Sequence, residues 1–281
     1  MKKNVIKDFN VQSLPSNRKE QFFDLLKHRF FLFFSLGSLL LLFSLPFLGA
    51  LLTRDIFLVM AHNDSSINNE EKFKIINTIQ FYYSLSRIIS FPIIALGLGG
   101  ILGIYKQLIY DEPLFFKEDF FYSLKENWKQ YVIYGLFAAI FCFFADFLAF
   151  LISIDYLKYI FKALNAVFLL PILFVALFVS NNYQNSLIKS ISTSLLIYLK
   201  AFPSIFVSFI LIYAISFLSY IPFLFLKYAL LLSIFLLVLP ILLLGAYENV
   251  TRLFDFLINR EQFPDYYLKG LSTFYSSKRE N

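Results

Sequence analysis

A run of 23 residues without a charged side chain, residues 30–52, most strongly limits what this chain can become. As a helix the run is about 34 Å long, against a hydrocarbon core of roughly 30 Å. A helix is the conformation that suits it, because a backbone in lipid must satisfy its own hydrogen bonds. The run is longer than the apolar part of a signal peptide, about 7–15 residues, and it lacks a small-residue cleavage site. We therefore predict a transmembrane helix that stays in the protein.

Five further apolar stretches qualify as membrane spans. They lie at approximately residues 88–105, 131–153, 163–180, 201–226 and 228–247. The chain is 59% hydrophobic and 16% charged, whereas soluble domains have about 45–50% apolar and about 25% charged residues. The composition and the runs together predict an all-α integral membrane protein. Its six-helix membrane domain, 30–247, lies between an N-terminal segment, 1–29, and an amphipathic C-terminal tail, 248–281.

The distribution of Lys and Arg predicts the orientation. Eighteen of the 25 lie in the N-terminal segment, in the loops after the second and fourth spans, and in the tail; seven lie on the opposite side. Because Lys and Arg accumulate in cytoplasmic loops, both termini are predicted to be cytoplasmic, in a multi-pass protein of the cell membrane. A net charge of +6 can indicate a nucleic-acid partner. Here the basic residues are dispersed and lie beside the spans, so we predict no such partner.

The segment FFKEDFFYSLKENWKQ, residues 115–130, lies between the second and third spans and combines rings with charges. Four apolar side chains recur at steps of four, which places them on one helix face: Phe116, Phe120, Leu124 and Trp128. We predict a cytoplasmic interfacial elbow helix with this face towards the bilayer; the alternative is a docking surface for a partner. Similar amphipathic helices are predicted at 187–199 and 250–258, the second with Arg252, Asp255 and Asn259 on its polar side.

The loop between the first two spans, residues 53–86, is the longest one. Within it, Asn68 and Glu71 predict the start of a helix that leads into the second span. The second, fourth and sixth spans each contain a proline followed by two aliphatic residues, at Pro92, Pro171 and Pro240. This pattern indicates either three related hairpins or three ordinary proline kinks.

Small residues recur at steps of four in the second span, at Ala95, Gly99 and Gly103. The cluster ALGLGGILG does not have the spacing of a dinucleotide-binding loop, and no strand precedes it. A surface of small residues allows another membrane helix to approach closely. We therefore interpret these three residues as a helix-packing face.

Asp146 is the one carboxylate well inside a predicted span. An ionised side chain near the bilayer centre costs about 2.5–3.5 kcal/mol, so such a residue normally faces a partner or a wet cavity. One hypothesis is an ion pair with Arg87, which enters the second span from the same side; another is a protonated acid. The functional alternative is the polar site of a transporter.

Enzyme signatures are absent from the sequence: it contains no H-E-x-x-H, no G-x-S-x-G and no P-loop. The single cysteine, Cys142, excludes an intrachain disulfide, and two histidines, His28 and His62, make an imidazole-rich metal site improbable on composition. We expect neither a metal nor another cofactor, and no catalytic residue.

Two segments resemble the YesL-like family of uncharacterised multi-pass membrane proteins. They are LLLLFSLPFLG in the first span and GLGGILGIYKQLIYDEPLFFKEDFFYSLKENWKQYVIYGLF, with the core Lys125-Glu126-Asn127-Trp128-Lys129-Gln130. The likeness covers about the first half of the chain, which departs from the pattern by its long loop at 53–86 and its greater length. Such proteins are often encoded beside sugar-uptake transporters, and no catalytic residues carry over.

Two functions remain open at this point. The first, which the resemblance implies, is a non-enzymatic accessory or assembly partner of a carbohydrate uptake system. Its partners would be the lipid bilayer and either other membrane transport subunits or further copies of the chain. The second is a small-solute or ion transporter with Asp146 as its intramembrane polar site.

Overall fold

The computed structural model describes residues 14–151, 155–215, 218 and 221–279. Every regular element in this part of the chain is helical, and no strand occurs in it. The α-helices are α1 (Arg18–His28), α2 (Phe30–Asn63), α3 (Asn69–Ile109), α4 (Phe116–Leu151), α5 (Asp155–Leu164), α6 (Leu170–Asn182), α7 (Leu187–Lys200), α8 (Phe202–Tyr213), α9 (Leu224–Ser233), α10 (Leu239–Phe254), α11 (Arg260–Gln262) and α12 (Ser272–Arg279).

Several of these helices are long and apolar enough to cross a membrane, which confirms the prediction of an all-α membrane protein at that level. In the described residues five stretches qualify: Phe30–Asn63, Asn69–Ile109, Phe116–Leu148, Tyr159–Asn182 and Leu224–Gln262. A sixth is obtained if α7 and α8, bent by 103° at their junction, count as one span.

The predicted loop at 53–86 is mostly helix. α2 and α3 contain 34 and 41 residues, so they are about 51 and 62 Å long, well beyond a hydrocarbon core of roughly 30 Å. Residues 64–68 alone join them, and the side chain of Asn68 accepts a hydrogen bond from the Glu71 N–H at 2.8 Å. The predicted cap is therefore present, and it begins a helix that continues without a break through the second predicted span.

The predicted elbow at 115–130 is not a separate helix. α4 runs from Phe116 to Leu151 as one element, because residues 114–134 contain neither proline nor glycine. The predicted bilayer face of the elbow also packs differently. Phe120 is buried, Phe116 and Leu124 lie partly buried against the core, and Trp128 is half exposed. The first three residues thus join helices inside the protein, so the prediction that they face the bilayer was wrong.

Two helices change pitch just before a proline. A π-helical turn, Asn165–Leu169, separates α5 from α6, and another, Ile234–Val238, separates α9 from α10. Pro171 and Pro240 follow these turns, and a proline has no N–H to donate to the carbonyl four residues earlier. The hydroxyl of Tyr198 donates instead to the carbonyl of Val167, four residues before Pro171. The turn that precedes Pro171 therefore makes a hydrogen bond to another helix.

Glycines on neighbouring helices approach the other proline-disturbed turns. A Cβ on Gly37 would lie 2.0 Å from the carbonyl oxygen of Leu236, four residues before Pro240. A Cβ on Gly135 would lie 2.6 Å from the Cα of Pro92. Both distances are shorter than any contact a side chain can make, so only glycine allows α2 and α4 this close approach.

The last part of the chain differs from the predicted fifth span and tail. α8 has 12 residues, about 18 Å, which is shorter than the hydrocarbon core. Residues 216, 217, 219 and 220 of the predicted span at 201–226 lie outside the described residues. After residue 223 the chain remains helical to Gln262, across the boundary predicted between 247 and 248. No proline or glycine lies between residues 246 and 262 to end the helix there.

Both ends of the described chain meet at one end of the helices. The Ser272 N–H donates to the carbonyl of Pro15 at 3.0 Å. We call this the terminal end, and the opposite end, which carries the turn at 64–68, the hairpin end.

Candidate functional site

A buried ion pair near the hairpin end joins α2 to α9. The carboxylate of Asp55 accepts from the Lys227 ammonium at 2.5 Å and from the Arg54 guanidinium at 2.6 Å. The Tyr228 hydroxyl donates to the same carboxylate at 3.1 Å. Asp55 and Lys227 are 6% and 2% exposed. These charge-assisted hydrogen bonds to one carboxylate link α2 to α9.

A second ion pair, between Arg87 of α3 and Asp146 of α4, lies beside the first. The Arg87 guanidinium donates to the Asp146 carboxylate and to the hydroxyl of Ser84, which itself donates to Asp146 at 3.1 Å. Lys162 of α5 lies 3.5 Å from the other carboxylate oxygen. The structure therefore brings together the two residues that the sequence hypothesis paired and adds a second cation.

The ring of Tyr83 connects the two ion pairs. The guanidinium carbons of Arg54 and Arg87 lie 4.5 and 5.2 Å from its centroid, where the negative face of the ring attracts a cation. We call the whole group the hairpin-end cluster; its members are Arg54, Asp55, Tyr83, Arg87, Asp146, Lys162, Lys227 and Tyr228. Four cations face two carboxylates in it, and all five helices α2, α3, α4, α5 and α9 contribute.

Only two of the eight members of this cluster, Asp146 and Arg87, were identified from the sequence. Lys227 is the single residue between the fifth and sixth predicted spans, and Asp55 lies in the predicted loop at 53–86. The available signal was the long apolar run around Lys227: a lone charge among some 45 apolar or neutral residues needs a partner. The sequence does not show which carboxylate provides it, because Asp55 lies 172 residues away.

A polar core near the terminal end is organised by Asn181 of α6. Its amide nitrogen donates to the carbonyl of Leu102 at 2.8 Å and to the Tyr247 hydroxyl at 3.0 Å. Its amide oxygen lies 3.0 Å from the hydroxyl of Ser123, whose single proton it shares with the carbonyl of Gly99. One buried side chain thus bonds to α3, α4 and α10, which satisfies the amide in an apolar surrounding.

The predicted packing face on α3 supports this polar core. A Cβ on Gly99 would lie 2.2 Å from the ring of Tyr131, and a Cβ on Gly103 would lie 2.5 Å from the Cβ of Ser123. Ala95, one turn further, is buried. The absent side chains let α4 come close enough for the Ser123 hydroxyl to donate to the carbonyl of Gly99 at 2.8 Å. Here the small residues position a hydrogen bond as well as a helix.

A third buried ion pair closes the terminal end. The Arg18 guanidinium of α1 donates to Asp255 at 2.9 and 3.2 Å and to the carbonyl of Ile109 at 3.2 Å. The second oxygen of Asp255 accepts from Asn259 at 3.0 Å. Asp255 and Asn259 are fully buried, so their prediction as the polar, exposed side of the helix was wrong. They face inward because Arg18, which lies at the far end of the sequence, supplies the countercharge.

Two tyrosines border the Arg18–Asp255 pair. Burial raises the pKa of the Tyr110 and Tyr183 hydroxyls well above their ordinary value, and the nearby Asp255 carboxylate raises both further. Both hydroxyls therefore remain protonated at physiological pH. That of Tyr183 donates to the Asn259 side chain at 2.7 Å and ties α6 to the pair.

One carboxylate at the terminal end has no such partner. Glu248 of α10 is 4% exposed, and neither of its oxygens accepts a hydrogen bond from a described residue. Thr251, one turn later, is also buried with its hydroxyl unsatisfied by any described residue. The sequence gives no signal for this, because Glu248 follows the last predicted span and reads as solvated.

The described residues contain no group of three or more His, Cys, Asp or Glu side chains that could hold a metal ion. His28 is exposed and pairs with Asp24 at 3.0 Å, and Cys142 accepts from the Asn165 amide at 3.5 Å. Neither contact places a nucleophile beside a general base. The charged and polar groups of the described part can therefore link helices, and we assign them no catalytic step.

Comparisons with protein-family models, with curated proteins and with solved structures found no match to this chain.

Proposed function

We propose that this chain is a non-enzymatic, multi-pass protein of the cell membrane that acts as an accessory or assembly partner of a carbohydrate uptake system. In this proposal the terminal end is cytoplasmic and the hairpin end faces outward. The resemblance to YesL-like proteins supplies the class of partner. The orientation rests on the distribution of Lys and Arg along the chain.

The observation that carries the proposal is an apolar surface on the α2–α3 hairpin. Charges avoid the hydrocarbon, so Arg54 and Arg87 mark its border on this side. Beyond them α2 continues through residues 55–63, and α3 begins 18 residues earlier, at residue 69. These two segments, which we call the hairpin arm, extend about 13–27 Å past the cluster.

The hairpin arm exposes large apolar side chains outside the expected hydrocarbon layer. Phe57 and Met60 lie about one turn apart on α2 and are 52% and 60% exposed, and Phe73 near the start of α3 is 65% exposed. Contiguous exposed apolar side chains mark protein or membrane interaction sites. A surface of this kind suits an assembly partner, whereas the ion pairs of the hairpin-end cluster suit a rigid support.

Affinity purification of the full-length chain from its native membranes tests the proposal. We expect transport subunits to be recovered in stoichiometric amount. A variant with Phe57, Met60 and Phe73 replaced by serine should lose them. The matched control, Gln80→Ser, changes an exposed polar residue of the same arm and should retain them. Recovery of the chain alone, or equal recovery with both variants, would contradict the proposal.

One observation favours the alternative, a small-solute or ion transporter. The side chain of Asp146 is 36% exposed, whereas those of Asp55 and Asp255 are 7% and 0% exposed. The Asp146 carboxylate is therefore accessible. Purified protein in liposomes would then move a solute or an ion, and Asp146→Asn would abolish the flux. If the wild-type protein produces no flux of any tested sugar, cation or anion, the transporter alternative fails.

A further inference from the structure

A pocket near the terminal end combines basic and apolar walls. It has a volume of about 220 Å³ and lies between α7 and the residues that follow α10. Lys189, Thr193 and Lys200 of α7 line one side, and Leu257, Ile258 and Phe263 line the other. We call it the α7 pocket. It shares no residue with the hairpin-end cluster or with the polar core around Asn181.

The two lysines point along one face of α7. They are 11 residues apart, which is about 16 Å and just over three full turns of helix, so their side chains leave the same face. Thr193 lies between them on that face. Long lysine side chains with rotatable ammonium groups can converge from both ends of such a row on a single anion.

The charge in the pocket is uncompensated by the described residues. Neither Lys189 nor Lys200 makes an ion pair with a described residue. The residues that line the pocket include two cations and no carboxylate. The pocket therefore attracts an anion, and its remaining polar groups, Asn185 and Thr193 among them, are hydrogen-bonding groups that suit phosphate oxygens.

The exposed side of α7 indicates that the anion belongs to a ligand with an apolar part. The helix turns by 103° from α8, so it runs across the direction of that helix rather than along it. Its buried face carries Ser190 and Ser194, while Ile188, Leu195 and Leu199 on the opposite side are exposed. The exposed apolar side chains of this amphipathic helix are suited to contact with acyl chains.

We infer that the α7 pocket binds the headgroup of an anionic phospholipid, whose acyl chains stay in the bilayer beside α7. Basic pockets between membrane helices are a known means of binding such headgroups. The volume agrees with a headgroup alone, because whole small-molecule sites measure roughly 300–1,000 Å³. On the wall opposite the lysines, Phe263 packs against Tyr183, and the centroids of the two rings are 5.3 Å apart. This inference does not depend on the accessory role proposed above.

Binding of phosphatidylglycerol by the full-length protein tests the inference. The protein is purified in a neutral detergent and titrated with phosphatidylglycerol or phosphatidylcholine, and bound lipid is counted by native mass spectrometry. We expect phosphatidylglycerol to be retained in preference to phosphatidylcholine. Lys189→Gln and Lys200→Gln should each weaken its binding about fivefold, and the double variant about thirtyfold.

The matched control is Lys125→Gln, which removes an exposed lysine from the same end of the molecule but outside the pocket. It should bind phosphatidylglycerol as the wild type does. All variants must show the same melting temperature in phosphatidylcholine, which establishes that they fold. Equal binding by the double variant and the control would overturn the inference. Equally strong binding of inorganic phosphate in the same assay would also overturn it, because the pocket would then recognise a soluble anion.

Discussion

Four of the five buried charged residues in the described part of the chain form ion pairs between positions far apart in sequence. Arg18 and Asp255 are separated by 237 positions, and Asp55 and Lys227 by 172. Removal of one partner leaves an uncompensated charge and costs about 3–5 kcal/mol for a fully buried pair, whereas replacing both by apolar residues costs much less. These residues therefore determine which helices may pack together more than they determine how stable the packing is.

The Arg87–Asp146 pair allows a quantitative test of this behaviour. We expect Asp146→Asn and Arg87→Gln each to lower the free energy of unfolding in detergent, and the double variant to lower it by less than the sum. Contacting charges have a coupling energy of about 0.5–3 kcal/mol. Lys162→Gln should have a smaller effect, because Lys162 is 53% exposed. Additive losses in the double variant would show that the two residues do not interact.

Glu248 leads to the opposite expectation. Its carboxylate is buried without a hydrogen-bond donor among the described residues, and an unsatisfied buried polar group costs about 1–3 kcal/mol. Glu248→Met, which keeps the length of the side chain, should therefore raise the melting temperature in detergent. Glu261→Met on the exposed end of the same helix should change stability by less than about 0.5 kcal/mol. A marked loss of stability in Glu248→Met would mean that this carboxylate has a partner that the described contacts do not include.

At the scale of elements, prolines and small residues decide where helices touch. Pro171 and Pro240 follow π-helical turns, and a hydroxyl or a glycine from another helix meets each turn. Before Pro171, the carbonyl without its helical donor accepts a hydrogen bond from a neighbouring helix, and at Pro92 and Pro240 a glycine allows close packing. The interpretation of the three segments as related hairpins stays a prediction.

Two glycines of α2 provide a matched pair for testing this view. A Cβ on Gly37 would lie 2.0 Å from a backbone oxygen, whereas a Cβ on Gly49 would meet nothing within 4 Å. Gly37→Ala should therefore destabilise the protein by about 1–3 kcal/mol, because a backbone must move. Gly49→Ala should be neutral or stabilising by up to about 1 kcal/mol, since alanine is the better helix former. Equal effects in thermal unfolding would show that α2 does not approach Leu236 closely.

At the scale of the whole molecule, the N-terminal helix and the C-terminal segment close on each other. Arg18, Gln21 and the carbonyl of Ile109 bring α1, α3 and the end of the chain together. Gly270 takes a positive φ of 86°, and a Cβ there would lie 2.3 Å from the Ile109 oxygen, so the C-terminal segment passes directly over the end of α3.

This closure predicts that both described ends of the chain lie on one face of the membrane. In a Cys142→Ser background, an impermeant thiol reagent should label Ser65→Cys in intact cells. It should label Lys19→Cys and Thr273→Cys only after the cells are permeabilised. The three sites are exposed, so access depends on the membrane alone. Labelling of Lys19→Cys and Thr273→Cys from different sides would contradict both the closure and the predicted orientation.

The sequence alone predicts the class of this protein and part of its site. An uncharged run long enough to cross a bilayer is expected to form a helix, because its backbone N–H and C=O groups must form hydrogen bonds with each other in lipid. Asp146 and Arg87 could be paired because both interrupt apolar runs at a similar depth. The glycine face of α3 could be predicted because its step of four is a local property of a helix.

Only the tertiary structure decided what the remaining polar residues do. Lys227 lies between two predicted spans, and Asn181, Arg18 and Asp255 lie in polar segments outside the spans, whereas the partners of all four lie far along the chain. Whether such a side chain faces lipid, water or a countercharge depends on which helices become neighbours. The same reason explains why the aromatic face of residues 116–124 is internal: a ring suits lipid and a glycine groove equally well, and the approach of α3 determines which one it meets.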